Sequence, residues 1–318
     1  MPQPENMLIA ILGATSQIAK DLVQSFAANS RHDLMLFARR PDAVTQWLAG
    51  VGLVGRYAVA DFAAFSTDRH FDAILNFVGV GNPVQAAVMG ASIFDVTLQY
   101  DELALSYVRQ HPTCRYIFMS SGAAYGSSFE TPADANTKAV VDINYLQPEE
   151  WYGVAKLQAE CRHRSLAHLP VVDIRIFNYF SHTQDIEARF LITDILRAIR
   201  DKKILQISAD YIVRDFIHPS DFYQLVCLML AAPLSTNTVV DCYSKSPIEK
   251  PTLLEMIQDK FGLRFEATNH IASVNATGKK PYYYSLNKRA GNFGYLPAMT
   301  SADGLLQECQ AALKGVRQ

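Results

Sequence analysis

Short β-branched or apolar runs alternate with amphipathic stretches through the first half of the chain. This alternation dictates a parallel sheet covered by helices, because parallel neighbours need a crossover between them. Residues 7–12 read as the first strand and 17–28 as the helix after it. Further strands are expected at 34–38, 57–60, 71–78, 115–120 and 171–177, with helices at 91–109, stopped by Pro112, and at 151–167. The fold class is α/β, a Rossmann-type doubly wound parallel sheet. After Phe177 the alternation fails. Helices at 188–200, 221–230, 252–261 and 300–312 surround one short strand at 204–207, and a polar stretch runs over 268–280. The expected organisation is a dinucleotide-binding domain over 1–177, joined by parts of 211–245, and a smaller, discontinuous substrate-binding lobe over 178–318.

Composition narrows the partners. The 318 residues carry 29 Lys+Arg against 31 Asp+Glu, a formal net charge of −2, which argues against a main role in electrostatic binding to nucleic acid or an anionic membrane. Hydrophobic residues make up 49% and charged residues 19%, enough for a core and incompatible with wholesale disorder. No apolar run approaches the roughly 18 residues that span a bilayer, and 7–12 is too short for a signal-peptide core, so a cytoplasmic location is expected. Cysteines at 114, 161, 227, 242 and 309 form no CxxC pair and are odd in number, which favours free thiols over a disulfide framework or a metal site.

Gly13 follows the first strand and precedes a helix, where a glycine turn lets backbone amides and a helix N-terminus hold a pyrophosphate. The run is Gly13-Ala14-Thr15-Ser16-Gln17-Ile18-Ala19, so only the first glycine of a GxxGxxG pattern survives. Alone it fits an ordinary strand-to-helix turn equally well. Arg39 and Arg40, at the end of the second strand, change the picture. A free 2′-hydroxyl is usually met there by Asp or Glu, whereas a 2′-phosphate needs cationic donors, and no acid follows until Asp42. NADP(H) is therefore favoured, with NAD(H) as the alternative. Candidate cofactor contacts are Gly13, Thr15, Ser16, Gln17, Ile18, Arg39 and Arg40, then Asp61 and Phe62, and Val78 and Gly79 closing the fourth strand near Gly81. Asp61 either accepts from an adenine amino group or caps a turn.

Two further runs carry chemistry. Tyr152-Gly153-Val154-Ala155-Lys156 places a phenol and an ammonium four residues apart, on one helix face. A neighbouring ammonium stabilises the phenolate of a tyrosine whose ordinary pKa is about 10, which makes proton exchange feasible. Met119-Ser120-Ser121-Gly122-Ala123-Ala124-Tyr125-Gly126 puts hydroxyls at the carboxyl end of the fifth strand, where one can hold a substrate oxygen.

Together with Arg175-Ile176-Phe177-Asn178, the run RDFIHPSD over 214–221 and the segment Gly294-Tyr295-Leu296-Pro297, these motifs resemble the extended short-chain dehydrogenase/reductases, the NAD(P)-dependent nucleotide-sugar epimerases, dehydratases and reductases. The resemblance covers nearly the whole chain. It implies Tyr152 as acid/base, Lys156 as its electrostatic partner and nicotinamide-ribose ligand, and Ser121 as the substrate-binding hydroxyl. Ser120, its strand neighbour, should face the other way. It also implies that Asn178, Arg214 and Lys280 meet the nucleotide diphosphate of the substrate, and that a homodimer forms through the helices at 91–109 and 151–167.

Departures from the family's pattern narrow the activity. Gly122 and Ala123 stand where its 4,6-dehydratases carry an acidic pair, and no cysteine follows for epimerisation at C3 and C5. The reading is NADP(H)-dependent 4-keto reduction of a nucleotide sugar. The alternatives are a 4-epimerase, a reductase of another carbonyl, and a non-catalytic cofactor-sensing or RNA-associated member, which the thinned glycine motif supports. Asn76 is expected to brace the sheet, and His218 to brace a turn. His182 is open between substrate contact and solvent, Cys161, His163 and His168 lack the further ligands a metal needs, and Tyr282, Tyr283 and Tyr284 either stack on a base or pack as a strand.

Overall fold

In strand β1 (Leu8–Leu12) Ile9 and Ile11 enter one apolar cluster while Ala10 and Leu12 enter another, as a two-residue period requires when both faces of a sheet are covered. The computed structural model describes residues 6–79, 88–126, 128–268 and 280–315; Gly81 and positions 269–279 of the polar stretch lie outside them. Strands β2 (Asp33–Phe37), β3 (Ala58–Ala60), β4 (Ala73–Asn76), β5 (Arg115–Ser121) and β6 (Val171–Ile176) fall where the alternation predicts them. The helices between and around them are α1 (Gln17–Asn29), α2 (Pro41–Gly50), α3 (Ser92–Gln110) and α4 (Trp151–Ser165). Beyond Phe177 come β7 (Asn178–Tyr179), α5 (Leu191–Arg200), β8 (Ile204–Ser208), β9 (Val213–Arg214), β10 (Phe216–Ile217) and α6 (Pro219–Leu230). The remaining elements are β11 (Thr238–Asp241), β12 (Ile248–Glu249), α7 (Lys250–Phe261), β13 (Arg264–Thr268), β14 (Tyr282–Tyr283) and α8 (Ser301–Gly315).

The central sheet is parallel, in the order β11-β6-β5-β4-β1-β2-β3. Its order reverses between β1 and β4, which puts the ligand crevice of a doubly wound sheet at the carboxyl ends of those strands. Two of its parts escape the sequence pattern. Helix α2 buries only Val44 and Leu48, too narrow a stripe to register as a helical period. Strand β11 is two valines between Thr238 and Asp241, and only its pairing with β6 makes it a strand. Met229 on α6 and Val240 on β11 lie in the same apolar cluster as Ile9 and Ile11.

A third cluster joins α5, α7 and α8 through Ile195, Leu196, Leu253, Ile257 and Leu305. The small sheet β12-β9-β14 sits beside it and carries Arg214 and Tyr283 in register, Cα opposite Cα. That sheet sets the far wall of the site. Among the described residues no helix is long and apolar enough to cross a membrane.

Candidate active site

The chemistry gathers where β5 ends against α4. Successive residues of a strand face opposite ways, and the two serines do so. Ser120 Oγ donates to Glu160 Oε1 at 2.5 Å, and Arg175 Nε holds the same carboxylate at 2.9 and 3.1 Å. Ser121 turns the other way, toward the phenols of Tyr283, 3.2 Å from its Oγ, and of Tyr152, whose pKa its hydroxyl lowers. Helix α4 reaches this turn because residue 153 is glycine: a Cβ there would lie 2.6 Å from the Ala123 carbonyl oxygen. A larger residue would push Tyr152 away from Ser121.

One turn on, Lys156 is buried, donates from Nζ to the Met119 carbonyl at 2.8 Å, and stands 5.9 Å from the Tyr152 ring centre. Burial lowers the Lys156 pKa to about 8, against the pull of Asp101, Glu160 and Asp173. Burial also raises that of Tyr152, with the Ser121 hydrogen bond opposing it, so Tyr152 rests as a neutral phenol. A neutral phenol beside an ammonium is arranged to give up a proton when its charge can be shared.

The turn after β1 has the geometry of a dinucleotide cradle. Gly13 has φ 81°, and a Cβ on it would come within 2.9 Å of the Phe77 and Val78 backbone, so only glycine fits. Its N–H and that of Ala14 bond the Phe37 carbonyl, tying the turn to β2, and Ser16 caps α1 by position without a side-chain bond. Thr15 is exposed and Ile18 packs on the core. Gln17 is drawn elsewhere, to Thr183 and, at 3.2 Å, to Asp21 Oδ1. Gly79 lies over the lysine, where a Cβ would stand 3.4 Å from Lys156 Nζ. Val78 N–H donates to Asn76 Oδ1 at 2.9 Å, and Asn76 Nδ2 reaches Tyr116 Oη at 3.0 Å, the bracing role expected of it. These residues fit a dinucleotide: a helix N-terminus, a glycine that admits a close backbone approach, and an open backbone above the lysine ammonium.

Arg39 and Arg40 are exposed at the end of β2. Lys20 joins them. Burial and the charge of Arg40 lower its pKa, opposed by Asp21, and its ammonium stands 5.6 Å from the Trp47 ring centre. Sequence reading missed Lys20, because its place beside Arg40 depends on α1 and α2 packing. Asp61 accepts from Ala64 N–H at 3.1 Å and caps a single turn, while Phe62 packs on Tyr100 at 4.5 Å.

At the opposite end the half-buried Arg214 and the buried Lys280 sit together. Arg214 Nη1 donates to the carbonyls of Val213, Lys280 and Pro281 at 2.9, 2.8 and 3.3 Å. Its pKa is lowered to about 10 by burial, and that of Lys280 to about 8 by burial and by the Arg214 charge. Asn178 spends its amide on the Asp215 and Tyr283 carbonyls, both at 3.2 Å, and so braces β9 and β14 rather than presenting donors to the cleft. The cleft itself is lined by Ala123, Val140, Val141, Glu149, Glu150, Tyr152, Leu157 and Lys280. Tyr283 was weighed for base stacking or strand packing; it does pack as a strand, yet its Oη stands 3.2 Å from Ser121 Oγ.

Three histidines are tied to carboxylates. His218 caps α6 through Ser220 N–H and contacts Glu308 at 3.1 Å, and His182, half exposed, pairs with the same carboxylate at 2.7 Å. His163 is buried between Asp101 at 2.7 Å and Asp173 at 2.6 Å; desolvation lowers its pKa, but the two carboxylates outweigh it and raise it to about 9. Among the described residues no group of His, Cys, Asp or Glu is arranged to hold a metal ion.

The model of the NAD dependent epimerase/dehydratase family matches residues 9–240. Solved structures share the fold across the whole chain. UDP-glucose-4-epimerase from Stenotrophomonas maltophila, with bound NAD and formylated UDP-arabinopyranose, superposes with a TM-score of 0.79 at 17% identity, covering 98% of each chain. UDP-glucuronic acid 4-epimerase from Bacillus cereus, in complex with UDP-glucuronic acid and NAD, gives 0.76 at 17% identity over 98% of this chain and 100% of that one. The dTDP-glucose 4,6-dehydratase from Bacillus anthracis str. Ames in complex with NAD gives 0.74 at 18%, covering 97% of each. No curated protein sequence matches the chain. With a parallel sheet in Rossmann order, a glycine cradle after β1 and Ser121, Tyr152 and Lys156 together at the end of β5, the chain belongs to the NAD dependent epimerase/dehydratase family.

Proposed function

We propose that the protein reduces a 4-keto group on a nucleotide-activated sugar, with NADP(H) as cofactor. One observation carries this reading: Tyr152, one turn before Lys156 and beside Ser121, lines a cleft that Lys280 also lines, and Arg214 is bonded to the Lys280 backbone behind it. The first group handles a carbonyl oxygen and the second suits a diphosphate. A bound nicotinamide supplies the hydride. Tyr152 gives its proton to the sugar oxygen that Ser121 holds, and Lys156 stabilises the phenolate left behind. Arg214 and Lys280 fix the diphosphate, so that binding energy from the remote end of the substrate positions the reacting carbon.

Two features favour reduction with NADPH. Burial keeps Tyr152 protonated, the state a proton donor needs. Arg39, Arg40 and Lys20 gather cationic donors at the end of β2, where a 2′-phosphate would lie. The UDP-sugar 4-epimerases that share the fold, with NAD bound, favour a second reading, epimerisation at C4 with NAD(H). A homodimer through α3 and α4, which pack side by side, and a cytoplasmic location belong to the same proposal.

Turnover assays with UDP- and dTDP-sugars in both 4-keto and 4-hydroxy forms separate these readings. Reduction consumes one NADPH per sugar, whereas epimerisation interconverts sugars with no net loss of cofactor. Tyr152→Phe should lower kcat at least about 100-fold. Failure of every sugar to react, or equal rates in Tyr152→Phe, refutes the proposal.

A further inference from the structure

Ser121 faces two phenols from distant parts of the chain. One is Tyr152 on α4, whose pKa the serine hydroxyl lowers; the other is Tyr283 on β14, whose Oη is hydrogen-bonded to Ser121 Oγ at 3.2 Å. The Ala123 amide donates to the same serine oxygen at 3.2 Å. A hydroxyl has two acceptor positions and one proton, so the direction of each bond can be argued. Ala123 takes one acceptor position. The Tyr283 phenol is packed against Phe129 and Phe177, at 4.8 and 5.2 Å between ring centres, with the Lys280 ammonium 4.8 Å and the Arg214 guanidinium 5.9 Å from its ring. These neighbours are rings and donors. Among the described residues Ser121 is the side chain that hydrogen-bonds the Tyr283 hydroxyl, and either oxygen can donate in that bond; with rings and cations around the phenol, the serine oxygen is the side-chain acceptor within its reach.

We propose that Tyr283 is a positioning residue for Ser121: by donating to Ser121 Oγ it commits the single serine proton to the Tyr152 side of the cleft, where the reacting oxygen binds. The proposal rests on the roles given to Ser121 and Tyr152 under the proposed function. When Tyr152 releases its proton to the sugar oxygen, a chain of donors remains, Tyr283 to Ser121 to the Tyr152 phenolate, and each relay proton stays on its own oxygen. Such a chain stabilises the phenolate more than the serine alone, because each bond polarises the next. Tyr283 has to stay neutral to donate. Burial and the nearby Tyr152 charge raise its pKa, against Ser121 and Arg214, and keep it a phenol.

Other charges face Tyr152 as well: Lys156 on its own helix, Glu149 and Glu150 just before it, Lys280 across the cleft, and Arg214 behind Tyr283. Tyr283→Phe removes none of them and keeps the ring. The test is a spectroscopic pH titration of the phenolate in the full chain, taking each protein minus its Tyr152→Phe counterpart so that only Tyr152 is read. Tyr283→Phe should raise the Tyr152 midpoint by about one pH unit. In a Ser121→Ala background the same substitution should produce no shift, and in Ser121→Thr, which keeps a hydroxyl, the shift should return. An unchanged midpoint in Tyr283→Phe, or an equal shift with and without the serine hydroxyl, overturns the proposal. The titration needs no substrate. A midpoint shift in a protein that turns over no nucleotide sugar would therefore uphold Tyr283 while refuting the proposed reaction.

Discussion

Two groups of cations stand apart in the structure, and they are built in opposite ways. At the end of β2, Arg39 and Arg40 stand in water and Lys20 is half-buried beside them. In the other group Arg214 and Lys280 are drawn into the protein, with pKa values lowered to about 10 and about 8. Exposed guanidinium groups keep their hydration and cost the fold little, but salt screens them and each contributes modestly. Buried neighbours of like sign are held against desolvation and mutual repulsion, and an anion relieves both. The inner pair, half-buried Arg214 and buried Lys280, should therefore dominate substrate affinity, while the exposed group should choose between cofactors.

The largest effects should come from the inner pair, and its two members should differ. Arg214→Met removes a donor to three backbone carbonyls as well as a charge. It should lower both thermal stability and, by about 100-fold, nucleoside-diphosphate affinity measured by calorimetry. The Lys280 ammonium meets aromatic rings instead, at 4.8 Å for Tyr283 and 5.6 Å for Phe129. Lys280→Met should weaken the same ligand about tenfold and leave the melting temperature of the free protein unchanged or higher. A melting temperature several degrees lower would break the contrast.

Smaller and more selective is the exposed group. Arg39→Ala and Arg40→Ala together should weaken NADP(H) about tenfold and leave NAD(H) within about twofold. Equal losses for the two cofactors would show that these arginines do not read a 2′-phosphate.

The gentlest probe is pH. Lys280 has a folded pKa of about 8 against an ordinary 10.5. Below pH 8 the ammonium is charged in both states and its burial penalises the fold. As pH rises from 8 toward 10.5 the folded protein releases a proton that the unfolded chain keeps, so this penalty is relieved. Lys156, also at about 8, contributes in the same direction. Anion affinity should move oppositely, falling above pH 8 by at most about tenfold per unit, with proton uptake on binding seen as a buffer-dependent heat. In Lys280→Met this slope should flatten. A flat profile in the unmodified protein would place the Lys280 charge outside the binding site.

The parts of this protein visible in the sequence are those whose signal is local. The alternation over residues 7–177 predicts β1 to β6 because period two and period 3.6 are written in neighbouring residues. Gly13, the Ser121 strand end and the Tyr152–Lys156 pair are legible for the same reason, since each is a few adjacent residues with one steric or electrostatic task. Helix α2 and strand β11 were not legible. The first buries a stripe too thin to show a period, and the second is a strand only because β6 lies beside it.

Tertiary structure decided the rest of the site. It turned Gln17 and Asn178 toward bracing bonds, placed Asp61 on a turn, set Lys20 beside Arg40, and brought the Tyr283 hydroxyl to Ser121 across 162 positions of chain. It also made Arg214 and Lys280 a depressed pair. Burial and approach to a distant neighbour exist only after the small β12-β9-β14 sheet has packed against the end of the Rossmann sheet. The residue types at these positions, by themselves, determined which groups were available for phosphate binding and proton transfer. Desolvation and long-range packing determined which of them face the cleft and in what protonation state.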